Sequence, residues 1–178
     1  MDINKFKLLE DGVDIDNASI YFSGPIESDF LFLLRTRIEM LKIYNKERSR
    51  GNSSFTIKLF IDSIGGDLIS TFCAIEYFER LKKDNVLLDI IAEGRCYSSA
   101  LVLLLGATGK RFAVPSTIFM YHKFTNYLPA KELNDFISLK FEKTLKNCDI
   151  KTIEFTEKDY YFGISDALKY NVINNIFV

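Results

Sequence analysis

The chain has 178 residues, 48% of them hydrophobic, with 16 Phe and no Trp, which is enough apolar material for one sizeable core and most simply one domain over 1–178. Its 23 basic and 24 acidic side chains give a formal charge of −1 without a basic run longer than two, which argues against nucleic acid as a partner. The opening Met1-Asp-Ile-Asn-Lys-Phe-Lys carries charge where a signal peptide needs an apolar core, and the longest apolar run, Ala100 to Ala107, is too short to cross a bilayer, so a soluble, cytoplasmic chain without a membrane partner is expected.

Residues 1–17 read as a flexible N-terminal segment. Ser19-Ile-Tyr-Phe-Ser is a β-like run closed by Gly24-Pro25, and Phe30 to Ile43 then places Leu33, Leu34, Ile38 and Leu41 at helical spacing. The polar stretch 45–54 reads as an exposed loop within the domain. Phe55 to Ile61 is a second predicted strand, Gly65-Gly66 a turn, Leu68 to Leu81 a second helix, Val86 to Ala92 a third strand and Ser98 to Leu105 a buried helix. The alternation argues for an α/β fold. Two short strands are expected at Phe112 to Val114 and Ile118 to Tyr121, separated by Pro115. Pro129 to Lys146 is an amphipathic helix with Leu133, Phe136, Ile137, Phe141 and Leu145 on one side. Cys73, Cys96 and Cys148 are odd in number and widely spaced, which suits reduced packing thiols better than a disulfide frame or a zinc site. No cofactor or metal is implied.

Three short segments carry reactive chemistry. Asp62-Ser-Ile-Gly-Gly-Asp puts two glycines at a strand-to-helix junction, where backbone N–H groups can approach a ligand closely. Glu93-Gly-Arg-Cys-Tyr-Ser-Ser-Ala brings Ser98 and Ser99 to the start of an apolar helix. Thr117-Ile-Phe-Met-Tyr-His holds His122, the only histidine. Taken singly, these read as a tight turn, a pair of helix-capping serines and a buried imidazole. Together and in this order they supply a nucleophile, a general base and oxyanion donors, because a serine hydroxyl needs an adjacent base to attack a carbonyl at neutral pH.

The conjunction resembles the proteolytic subunit of the Clp protease. The matching residues are Ile20-Tyr-Phe-Ser-Gly, Leu59-Phe-Ile-Asp-Ser-Ile-Gly-Gly-Asp, Glu93-Gly-Arg-Cys-Tyr-Ser-Ser-Ala, Gly106-Ala-Thr-Gly-Lys-Arg-Phe-Ala-Val-Pro-Ser, Phe119-Met-Tyr-His and the tail Asp166-Ala-Leu-Lys-Tyr-Asn-Val-Ile-Asn, so nearly the whole chain is covered. The resemblance implies a spiral of ββα units of the ClpP/crotonase type, with a shortened handle helix after His122. It also implies a serine endopeptidase acting on unfolded polypeptides inside a homo-oligomeric ring, with an AAA+ unfoldase ATPase as partner. By the same resemblance Ser98 is the nucleophile, with Ser99 in reserve. His122 is the base, and Gly65 or Gly66 together with the N–H of Ser99 are the oxyanion donors. Phe60 and Phe112 match apolar positions of the cleft that takes the ATPase's loops, where Lys58 replaces an aromatic.

Two departures matter. The segment from Gly94 to Lys110-Arg111 is one residue shorter than in the family; counting from Gly94 selects Ser98, counting back from Lys110 selects Tyr97. Aligning the tail puts Phe155 where the acid of the triad is expected. Asp159 falls on a neighbouring acidic position that the family associates with contacts between subunits, and Glu154 and Glu157 flank the vacancy. Asp159 is taken as the third catalytic residue. The other readings are a catalytically silent ring subunit and a crotonase-type acyl-CoA enzyme.

Overall fold

The apolar runs at the middle of the chain become the two longest strands, β3 (Phe55–Ser63) and β4 (Val86–Tyr97). They pair in parallel, Ile57 beside Leu88, Leu59 beside Ile90 and Ile61 beside Ala92, and all six side chains are fully buried. Strands covered on both faces do not alternate, hence the near-continuous hydrophobic sequence. The computed structural model describes residues 8–48, 54–122, 131–150 and 159–178.

On one side of β3 lies β2 (Ser19–Ser23), parallel to it, followed by a two-residue antiparallel edge strand, β1 (Val13–Asp14). On the other side the sheet forks. The first half of β4 pairs through Ile90, Ile91 and Ala92 with β5 (Arg111–Ala113), which leads to β8 (Asn175–Ile176). The second half pairs through Arg95, Cys96 and Tyr97 with β6 (Ile118–His122), and β6 pairs in turn with the antiparallel β7 (Asp159–Phe162). The third strand was expected to stop at Ala92; it runs on to Tyr97, because Gly94 is absorbed as an irregularity within the strand and the chain then resumes pairing with a new neighbour.

Helices cover the sheet. Helix α1 (Phe30–Arg48) buries Phe30, Leu34, Ile38 and Leu41, while Leu33, one position off that stripe, is exposed. The expected loop over 45–54 is thereby corrected at its start: Lys46, Glu47 and Arg48 are good helix formers, and no Pro or Gly interrupts before Gly51, so the helix continues to Arg48. Residues 49–53 lie outside the described residues. Helix α2 (Leu68–Lys83) starts on Asp67, whose carboxylate accepts the N–H groups of Ile69 and Ser70, each at 3.1 Å. Such a cap stabilises a helix by about 1 kcal/mol. Helix α3 (Ser99–Leu105) is buried at every residue, as its uniformly apolar sequence requires.

Helix α4 (Lys131–Leu145) buries Ile137 and Leu145 and half-buries Phe141, but Phe136 is 48% exposed, so the apolar side foreseen for it is only partly covered within this chain. Pro129 and the side chain of Leu133 lie outside the described residues. Helix α5 (Ile164–Lys169) closes the chain ahead of β8. Arg111 ties these last elements together, donating from its half-buried guanidinium to the carbonyls of Val172, Asn171 and Asn147 at 3.0, 2.9 and 3.2 Å. Among the described residues no helix is long and apolar enough to cross a membrane.

Candidate active site

Ser98 sits between the last residue of β4 and the first of α3, with φ 54° and ψ −120°. Positive φ in a residue with a Cβ costs about 1–3 kcal/mol and persists only where the surroundings fix it. Both neighbouring peptide groups are fixed here. The N–H of Ser98 donates to the carbonyl of Met120 at 3.0 Å, and its carbonyl accepts from Val102 at 3.2 Å. The side chain makes no capping bond to the helix it precedes. Instead its Oγ lies 2.7 Å from Nε2 of His122. With Nε2 as acceptor, the hydroxyl donates and the one N–H proton of the neutral ring sits on Nδ1.

Strand pairing explains how the histidine arrives. Because β6 runs parallel to the end of β4, with Tyr97 beside Met120, the next residues of both strands emerge at the same edge. Strand β7 then runs back along β6, and its register sets Asp159 opposite His122. Residues directly opposite in an antiparallel pair project from the same face with Cβ atoms about 4.5–5.5 Å apart. Among the described residues no carboxylate hydrogen-bonds the ring of His122, so the pairing sets Asp159 opposite His122 in register without a bond to its ring. Phe155, Glu154 and Glu157 lie outside the described residues.

The glycine turn packs directly on the serine. Gly65 has φ 89°, and a Cβ built on it would stand 2.6 Å from the carbonyl oxygen of Tyr97, 2.9 Å from Cβ of Ser98 and 2.9 Å from the N of Ser99. Only glycine fits there. The two glycine N–H groups differ in availability: that of Gly65 donates to Oγ of Ser63 at 3.1 Å, whereas that of Gly66 has no acceptor among the described residues. Ile26 holds the turn in place, donating to the carbonyl of Gly65 at 2.9 Å and accepting from Asp67 at 2.7 Å. The N–H of Ser99, at the first helical position, has no partner within the helix. Among the described residues the N–H groups of Gly66 and Ser99 are therefore without an acceptor, one on the turn packed against Ser98 and one on the residue after it.

Ser99 itself is fully buried, and its Oγ has no hydrogen-bond partner among the described residues. The contact to His122 belongs to Ser98 alone. A small apolar recess opens next to the pair, walled by Leu68, Leu101, Val102 and Tyr121 and by Phe141 and Leu145 of α4. Cys96, two residues before Ser98, is wholly buried, and burial pushes its thiol up well above the usual range, which makes it a packing residue with no thiolate to offer.

Sequence reasoning missed Ser63, which holds the glycine turn from beneath, and strand β7, whose Asp159-Tyr-Tyr-Phe run is too short to stand out by alternation. It also missed Phe177, which bridges Phe60 and Phe112 with ring centroids 5.4 and 5.9 Å away, and Tyr21, stacked on Phe60 at 4.9 Å. The apolar Ile-Phe-Val end of the chain was the available signal for Phe177.

The profile of the family described as Clp protease matches residues 17–178. The chain is 25% identical over 170 residues to the ATP-dependent Clp protease proteolytic subunit of Deinococcus radiodurans, an alignment covering 88% of this chain and 78% of that one. It is 31% identical over 137 residues to the ATP-dependent Clp protease proteolytic subunit 1 of Shouchella clausii, covering 67% of each. Its fold superposes on the crystal structure of the ClpP protease catalytic domain from Plasmodium falciparum with a TM-score of 0.69 at 22% identity, over 100% of this chain and 93% of that one. That match bears out the α/β fold class expected from the sequence.

Proposed function

We propose, for a chain that belongs to the Clp protease family, that it is a serine endopeptidase subunit in which Ser98 attacks the peptide carbonyl and His122 takes its proton. The observation that carries this reading is the 2.7 Å contact between Ser98 Oγ and His122 Nε2, made by a serine held at positive φ on a strand-to-helix turn. Strained turns of this kind expose a nucleophile.

In the acylation step a bond forms between Oγ and the carbonyl carbon while the hydroxyl proton passes to Nε2. The carbonyl oxygen becomes an oxyanion, accepting from the N–H groups of Gly66 and Ser99. Removing one such donor typically costs 10²–10³ in rate. Collapse of the tetrahedral intermediate breaks the C–N bond, and the leaving amine takes the proton from Nε2. Water, deprotonated by the same imidazole, then hydrolyses the acyl-enzyme. Asp159 is the carboxylate whose backbone register lets it reach Nδ1–H by a side-chain rotation; Phe155 has no chemistry to offer there. The recess beside Ser98 suits an apolar substrate side chain next to the scissile bond.

The apolar surface supports assembly and a partner. Phe32 and Leu139 are 71% and 67% exposed, on α1 and α4, and an isolated subunit leaves both in water. A homo-oligomeric ring would cover them. The aromatic cluster of Tyr21, Phe60, Phe112 and Phe177 lies on another part of the surface, around β2, β3, β5 and the C-terminus, and would accept apolar loops of an AAA+ ATPase that delivers unfolded polypeptide.

Treatment with a fluorophosphonate followed by peptide mapping tests the assignment. The adduct is expected on Ser98 and absent from folded Ser98→Ala. An adduct on Ser99, or none on the assembled wild type, would refute it.

A further inference from the structure

We propose that Asp62 is a positioning residue of this reaction centre, its carboxylate gripping both the backbone and the guanidinium of Arg95 and so setting the bend in β4 that delivers Ser98. The proposal rests on the reading of Ser98 as nucleophile.

Between Ile61–Ala92 and Ser63–Cys96 the pairing of β3 and β4 advances two residues on one strand and four on the other. The three residues Glu93 to Arg95, facing Asp62 alone, arch away from β3, and there the Arg95 N–H turns to a side chain instead of to the β3 backbone. Asp62 fills the gap. Its Oδ1 accepts from the backbone N–H of Arg95 at 2.9 Å and from Nε at 2.9 Å, and its Oδ2 accepts from the guanidinium NH2 at 2.8 Å. Ser23 at the end of β2 donates to the same Oδ2 at 3.4 Å. Gly94 makes the approach feasible: it has φ 75°, and a Cβ on it would stand 3.1 Å from Oδ1 of Asp62.

The arch feeds straight into the site. Three residues beyond Arg95 comes Ser98, and the residue after Asp62 is Ser63, whose hydroxyl holds the N–H of Gly65. One side chain thus fixes the strand that carries the nucleophile from the strand that carries the glycine turn. The bidentate grip on Arg95 also holds the Asp62 carboxyl below its ordinary range, although partial burial works against this. The ion pair itself is well exposed, 50% at Arg95 and 31% at Asp62, and exposed pairs add little to stability. A residue that matters for geometry but not for stability is recognisable by experiment.

The test compares wild type, Asp62→Ala, Asp62→Asn and Arg95→Ala by fluorophosphonate labelling rate, by melting temperature and by amide hydrogen exchange over 93–98. Asp62→Ala should label more slowly on the order of 10²-fold, the loss that follows from a displacement of about 1 Å, with its melting temperature nearly unchanged and exchange over the arch quickened. Asp62→Asn keeps an acceptor for the Arg95 N–H and should recover part of the rate, as should Arg95→Ala, which retains the backbone bond. Wild-type labelling in folded Asp62→Ala overturns the proposal. So does wild-type labelling in Asp62→Asn if the alanine variant fails to fold. If Ser98→Ala still labels, the nucleophile assignment fails instead, and hydrogen exchange still decides whether Asp62 holds the arch.

Discussion

Ser98 enters the site from a half-buried turn whose peptide groups are bonded on both sides, to Met120 of β6 and Val102 of α3, with Gly65 pressed against it. Asp159 enters from the first residue of β7, a strand paired among the described residues only with β6, and it is half-buried without a bond to the histidine it faces. The proposed nucleophile and oxyanion donors are over-determined by the core, whereas the proposed acid depends on one antiparallel pair at the edge of the sheet. A subunit built this way keeps its attacking group in place when the acid is loosened. Its turnover should therefore be sensitive to β7 while its stability is not.

The largest expected effect comes from Asp159→Asn. If the carboxylate orients Nδ1–H, kcat should fall by about 10⁴ with the melting temperature almost unchanged, since loss of an orienting acid leaves the wrong tautomer. Unchanged kcat in this variant would make the β7 half a bystander. Gly65→Ala strikes the other half. The added Cβ meets the Tyr97 carbonyl, the Cβ of Ser98 and the N of Ser99 at positive φ, so kcat should fall by about 10²–10³ and unfolding should ease by about 1–3 kcal/mol, measurable by hydrolysis and denaturant titration.

Phe119→Ala sharpens the contrast by loosening the joint between the halves. Phe119 is fully buried and stacks on Phe162 with ring centroids 5.1 Å apart. Its truncation should cost about 3–5 kcal/mol and slow turnover less than Asp159→Asn does. The smallest effect is on acid stability. The Asp62 carboxyl is held low in the folded chain, chiefly by its side-chain hydrogen bonds from Arg95. Its contribution is present above the unfolded value of about 3.9 and is lost as pH falls through the lower folded value. The melting temperatures of wild type and Asp62→Asn should converge with acidification, from a small gap at neutral pH.

The central sheet was legible because β3 and β4 are buried on both faces and spell it in apolar residues. The Ser98, His122 and glycine-turn assignments were legible as residue types in order, yet their meeting depends on a forked sheet that no local pattern encodes. The third strand, expected to end at Ala92, runs on to Tyr97 because Asp62, thirty-odd positions upstream, holds the Arg95 N–H just past Gly94, and only the fold shows that. Phe155, set at the acid position by counting along the tail, lies outside the described residues; Asp159, taken as the third residue, is set opposite His122 by the β6–β7 register. Helix α1 outran its expected end because propensity at 46–48 outweighed the polar composition there.

The most direct measurement is steady-state cleavage of an unstructured fluorogenic polypeptide by the assembled protein, wild type against Ser98→Ala, with folding and assembly verified for both. The wild type should hydrolyse the substrate, and Ser98→Ala should show no cleavage above background. Equal activity in the two, or none in either, would contradict a Ser98 to His122 mechanism.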